Sequence, residues 1–150
     1  MFKKILCATD LNYASSDAVK KAVQLAHQYD SQIIMLNVHE EFMTKEEMGM
    51  LRVSIKSMKL AFEKTALQAK KEMIEEIKSL HAEDVKVEYI IRDGKPNKVI
   101  CEEAEKSHAD LIIMGVSDKN IMTNIIFRST ASFVIEHVKI PVLVVPMESK

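Results

Sequence analysis

Apolar residues gather in five short runs along the chain: Ile5 to Thr9, Gln32 to Val38, Val85 to Ile91, Asp110 to Met114 and Val142 to Val145. Each has the length of a strand, and segments with apolar residues three and four apart separate them. Strands that alternate with helices predict a parallel sheet, because parallel neighbours need long crossovers and those crossovers bury both sheet faces. The pattern therefore predicts an open, doubly wound α/β fold with helices on both faces.

The first helix is expected from about Ala14 to Tyr29, with Ala18, Ala22, Leu25 and Tyr29 on one face. Small alanines let such a helix lie close to the sheet. A later helix opens at Pro96, whose missing N–H costs nothing in a first turn, after a turn at Asp93 and Gly94. Val99, Ile100 and Ala104 of that helix are expected to face inward. The longest connection runs from Met43 to Ala82. In its second part Ile55, Met58, Phe62, Ala66, Ala69, Met73, Ile77 and Leu80 fall on one side of a single long amphipathic helix starting near Val53. Leu60, Leu67 and Ile74 form a second line turned toward solvent, and the methionine-rich segment from Met43 to Leu51 is expected to fold back over them.

Length and composition narrow the function classes. The 150 residues, 47% of them apolar, suffice for one core and are too few for two ordinary domains, so residues 1–150 read as a single domain. With 21 basic against 22 acidic residues, the chain has no large field of either sign to attract nucleic acid or an anionic membrane. Cys7 falls in a strand and Cys101 in a helix, without zinc-type spacing, and both read as reduced packing residues. The five histidines also lack metal spacing, and His39, the one near a strand end, reads as a surface residue. No apolar run approaches the roughly 20 residues that span a bilayer, and the first residues lead straight into a strand. A cytoplasmic protein is expected.

The end of the chain carries the chemistry. An apolar strand runs into Gly115, hydroxyl residues follow at Ser117 and again at Ser129 and Thr130, and a second apolar strand lies between Pro141 and Pro146. This layout resembles the C-terminal signature of the universal stress protein family, whose nucleotide-binding members carry G-x-x-G, nine residues, then G-[ST]. Here Gly115 is followed by Asp118 in place of the second glycine and, after the same nine residues, by Arg128 and Ser129. Further pieces also match in order: Ile5 to Asp10, Asn37 to His39, Gly94 with Pro96, Ala109 to Gly115, and His137 with Pro141 to Val145. Leu11 and Asn12 replace the Gly-Ser common after the first acidic residue.

The resemblance implies the strand order 3-2-1-4-5, with a ligand crevice outside the carboxyl ends of the first and fourth strands, where the winding reverses. It puts Thr9 and Asp10 near a nucleoside and lines the base pocket with Val38 and Met114. Gly115 and Ser117 start the phosphate loop, and Ser129 and Thr130 present donors at a helix N-terminus. Plain N-capping is the alternative role for Ser129 and Thr130, and capping of the next helix that for Asp10. Asp118 lacks glycine's conformational freedom and brings a negative charge toward a phosphate. Arg128, where the pattern has glycine, either pairs with Asp118 or, with Lys119, grips phosphate.

Two functions remain open. In one, the chain is a non-enzymatic stress-response module acting by dimerisation and protein contacts, with weak or absent nucleotide binding. Its homodimer would form through the final apolar strand, Val142, Leu143, Val144 and Val145, an edge that must be covered or paired. In the other, it is a regulatory protein that binds ATP or AMP, with Mg, through Arg128 and Lys119. The loops of P-loop enzymes, dinucleotide-binding enzymes and esterases are absent from the sequence.

Overall fold

The computed structural model describes residues 1–11, 13–40, 49–50, 54–116 and 130–146, without the side chains of residues 13–15. Its elements follow the alternation of the sequence: β1 (Lys4–Ala8), α1 (Tyr13–Tyr29), β2 (Gln32–His39), α2 (Ile55–Ser79), β3 (Val87–Asp93), α3 (Pro96–Lys106), β4 (Leu111–Val116), helical residues 130–137, and β5 (Val142–Pro146). The five strands form one parallel sheet in the order β3-β2-β1-β4-β5.

Two cores sandwich this sheet. Ile5, Cys7, Ile33, Met35, Leu111 and Ile113 point to one face, where they meet α1 and α2. Their neighbours Leu6, Ala8, Ile34, Leu36, Ile112 and Met114 point to the other face, against α3 and the helical residues 130–137. The near-continuous apolar runs of β1, β2 and β4 are thus buried on both sides, each large side chain contributing about 1.5–3 kcal/mol. Edge strands β3 and β5 are only half-buried.

Sequence periodicity places the helices but misjudges their faces in part. In α1 the buried stripe is Ala18, Val19, Ala22, Val23 and Ala26, whereas Leu25 and Tyr29 sit at its half-exposed border. α2 begins at Ile55 because Ser54 caps it, its hydroxyl oxygen accepting from the Ser57 N–H at 3.0 Å. Of its eight aligned apolar residues only Ala69, Met73 and Ile77 are buried, and Ile55 is 76% exposed. Length explains this. A helix of 25 residues extends about 37 Å, while the longest strand, eight residues, reaches only about 26 Å. The amino-terminal half of α2 consequently overhangs the carboxyl ends of the strands. Leu60 and Leu67 are exposed as expected, and the segment expected to cover them lies mostly outside the described residues.

Polar ties fix the register. The Asp110 carboxylate accepts from the backbone N–H groups of Lys3 and Lys4 at 2.9 and 3.2 Å, joining the amino ends of β1 and β4. Arg92 of β3 reaches Glu103 at 3.0 Å and Glu102 at 3.1 Å on α3. Gly94 turns from β3 into α3 with φ at 134°, and an added Cβ would meet Val99 Cγ2 at 3.0 Å.

Candidate functional site

The carboxyl ends of β1 and β4 meet where the sheet's winding reverses, and the β1 end is tied down tightly. The Thr9 N–H donates to the Leu36 carbonyl at 2.9 Å, and the Thr9 carbonyl accepts from Asn37 Nδ2 at 3.0 Å. The Thr9 hydroxyl oxygen in turn accepts from the Leu11 N–H at 3.1 Å. Thr9 and Asn37 are both buried, so β2 holds the turn that presents half-buried Asp10.

Of the residues singled out by sequence, Thr9, Asp10, Val38, Met114, Gly115 and Thr130 are described, and Ser117, Arg128 and Ser129 lie outside the described residues. So do Asp118 and Lys119, and with them the expected pairing of Asp118 with Arg128. Val38 and Met114 share one sheet face with Ala131 and Val134 of the helical residues 130–137. The Met114 side chain is wholly buried in that core. Gly115 does not start a loop: it continues β4, in register with Val145, and the strand runs on to Val116 opposite Pro146. The apolar Val116 and the length of β5 extend the ladder by two residues past Met114. Thr130 is buried within the helical run.

Over residues 1–146 the sequence matches the universal stress protein family. The chain belongs to the universal stress protein family. It is 32% identical to universal stress protein MJ0531 of Methanocaldococcus jannaschii over 152 residues, covering 100% of this chain and 85% of the relative. With MJ0577 of the same organism it shares 30% identity over 154 residues, covering 97% of this chain and 95% of the relative. The solved structure of MJ0577 superposes with a TM-score of 0.75, over 100% of this chain and 99% of that one. Universal stress protein UspA from Lactobacillus plantarum, at 22% identity, gives 0.76 over 96% and 97% of the two chains. The sheet order implied by the family resemblance is the one observed.

Against the family pattern, Leu11 is informative. It stands where the family pattern has glycine, and its φ is 64°, the left-handed setting that glycine adopts freely.

A cleft of about 680 Å³ opens beside this turn, between the ends of β1 and β2 and the overhang of α2. Asp10, Leu11, Asn37 and His39 form one wall and Lys64, Gln68 and Glu72 of α2 the other. His39 is half-buried, with its Nε2 shielded from solvent and its ring centroid 6.2 Å from that of Phe62, in place of the surface position expected for it. Sequence reasoning missed this second wall. Two signals point to it: Asn37 interrupts an apolar strand, and α2 is longer than any strand it could cover.

Deeper on the same sheet face, burial pushes the Cys7 thiol up to about 12, with the Glu76 charge adding to the shift. Such a thiol is inert as a nucleophile. Burial also raises the Glu76 carboxyl, partly offset by Lys20, and Glu76 Oε1 is buried without a hydrogen-bond partner among the described residues. The described residues contain no group of three or more metal-ligating side chains and no helix long and apolar enough to cross a membrane.

Proposed function

We propose that this universal stress protein is a non-enzymatic stress-response module that acts through a homodimer and protein contacts, with weak or absent nucleotide binding at the β1/β4 crevice. The observation that carries this reading is the place of β5 at the edge of the sheet. Among the described residues, half-buried Val142, Leu143, Val144 and Val145 pair on one side only, with β4. An unpaired apolar edge invites a second strand, and a two-fold copy of β5 supplies one without any new surface. Pro141 and Pro146 limit the ladder, since neither donates an N–H.

The sequence of the phosphate loop supports the second half of the reading. Asp118 and Arg128 stand where nucleotide-binding relatives carry glycine. A carboxylate beside a phosphate is repelled by on the order of 1 kcal/mol in water and more in a drier site. Thermal unfolding with and without millimolar Mg-ATP tests this directly. A nucleotide at 100 times its dissociation constant would add about 2.7 kcal/mol and raise the midpoint by several degrees. The reading predicts no shift of that size.

A second reading, a regulator that binds ATP or AMP through Arg128 and Lys119, is favoured by one observation. Two solved universal stress proteins of the same fold hold cAMP and AMP, with 19% and 17% identity to this chain and TM-scores of 0.67 and 0.62. Replacing Arg128 by glycine separates the readings. Affinity for ATP rises if the arginine blocks the phosphate space and falls if it grips the phosphates.

A further inference from the structure

Three apolar residues of α2 recur every seven positions away from the sheet: Leu60, Leu67 and Ile74. Leu60 and Leu67 are each 58% exposed, and Ile74 is half-buried. The spacing sets them in a row about 21 Å long, turned about 120° from Ala69, Met73 and Ile77, which hold the helix on the sheet. Packing of the core does not account for this row.

A charge pattern accompanies it. Lysine stands four positions after each apolar residue, at Lys64, Lys71 and Lys78, and all three are exposed. At about 100° per residue these six side chains, with Lys56, Glu63 and Lys70, fill a sector about 120° wide that holds no other residue of the helix. Five lysines thus face one glutamate there, in a chain whose 21 basic and 22 acidic residues nearly cancel. Glu72, Glu75 and Glu76 lie outside the sector. No glutamate of α2 has a lysine four residues on, the spacing that pairs the two along a helix. Among the described residues none of the five lysines makes an ion pair.

This combination discriminates between partners. A second copy of α2 would set mostly lysine against lysine in either orientation, which disfavours self-pairing. A helix that lies in a membrane surface needs a broad apolar face, whereas one apolar residue for every two turns makes a narrow seam. A narrow seam flanked by charge of one sign suits helix-to-helix pairing, in which the flanking charges select the partner.

We propose that this face of α2 docks an acidic amphipathic helix of another protein. Apolar side chains at heptad spacing would meet Leu60, Leu67 and Ile74, and carboxylates would meet Lys64, Lys71 and Lys78. The proposal rests on the reading that the chain acts through protein contacts, and it names the surface and the chemistry of the partner. The seam overlaps the rim of the cleft at Lys64, Leu67 and Lys71 and extends past it to Leu60, Ile74 and Lys78.

The probe is a synthetic helical peptide of about three heptads, with leucine along its seam and glutamate on both flanks. It is titrated into the full-length isotope-labelled protein and followed by amide chemical shifts. Saturable shifts at Leu60, Leu67 and Ile74 are expected, with a dissociation constant below about 100 µM that rises with added salt. Leu60→Ser with Leu67→Ser weakens binding at least about tenfold while the unfolding midpoint stays within about 2 °C, because both side chains are exposed. Lys64→Glu with Lys71→Glu turns the preference toward a peptide of the same seam with lysine flanks. Three results would overturn the proposal: no saturation by the acidic peptide, equal binding of an isomer with its leucines scrambled, or tighter binding to phosphatidylglycerol vesicles that the leucine variant loses. The first of these, in a chain that sediments as a dimer, removes the seam and leaves the dimer reading standing. A bound peptide on a monomeric chain removes the dimer and keeps the seam.

Discussion

Leu11 holds a left-handed backbone at a position where the family pattern has glycine. Its left-handed φ of 64° costs a side chain with a Cβ about 1–2 kcal/mol, which packing of the leucine against the α1/α2 core offsets. Alanine would keep that cost and lose the packing, whereas glycine would lose both. Leu11→Gly is therefore expected to be more stable than Leu11→Ala by about 1 kcal/mol in denaturant unfolding, the reverse of the order in a helix. Equal stability of the two variants would show that the backbone is not strained there. Sequence alone marked position 11 as a departure but could not show its left-handed conformation, because φ at one turn residue is set by what the turn is bonded to. Glu76 makes a second residue-scale case. Burial beside Cys7 raises its carboxyl, so the native chain holds that proton more tightly than the unfolded one. The contribution to stability is greatest below the ordinary carboxylate range and is lost as pH rises from there through the raised value. Glu76→Gln should then raise the unfolding midpoint at neutral pH by about 1–3 °C and leave it unchanged near about pH 4. A lower midpoint for the variant at neutral pH would mean that the ionised carboxylate is stabilising.

At the scale of elements, periodicity located every strand and the helices α1, α2 and α3, and it failed where length decides. The apolar stripe of α2 reads as a face on the sheet along its whole length, yet a sheet of five- to eight-residue strands can cover only part of a 25-residue helix. The leftover half forms the roof of the cleft. The resemblance to the family's loop pattern was legible in residue type and spacing, whereas the point at which β4 ends was not: pairing of Gly115 and Val116 with β5 depends on a partner distant in sequence. Elements at the sheet edge also need a charged tie. Glu103 is 4% exposed and relies on Arg92, which bridges it to β3. Removing the cation strands a buried carboxylate, so Arg92→Met is expected to cost about 3–5 kcal/mol, and Arg92→Met with Glu103→Leu much less. Additive losses in that double-mutant cycle would deny the coupling.

Among the described residues, the molecule is a parallel sheet covered on both faces with β3 and β5 as its outermost strands. The order β3-β2-β1-β4-β5 follows from the family resemblance more than from periodicity, which left several orders open. It leaves β5 outermost, and there the functional reading makes its main commitment. The Ile112 N–H donates to the Pro141 carbonyl, so by the alternation of a parallel ladder the N–H groups of Val142 and Val144 face outward. Val144→Pro therefore keeps the bonds to β4 and blocks any strand that pairs outside β5. Sedimentation equilibrium of the wild-type chain and of Val144→Pro, each with and without Mg-ATP, tests the central claim most directly. The account predicts a wild-type dimer whose dissociation is unaffected by the nucleotide, and a folded monomer for the variant. A wild-type monomer, or a dimer that forms only with Mg-ATP, would contradict it.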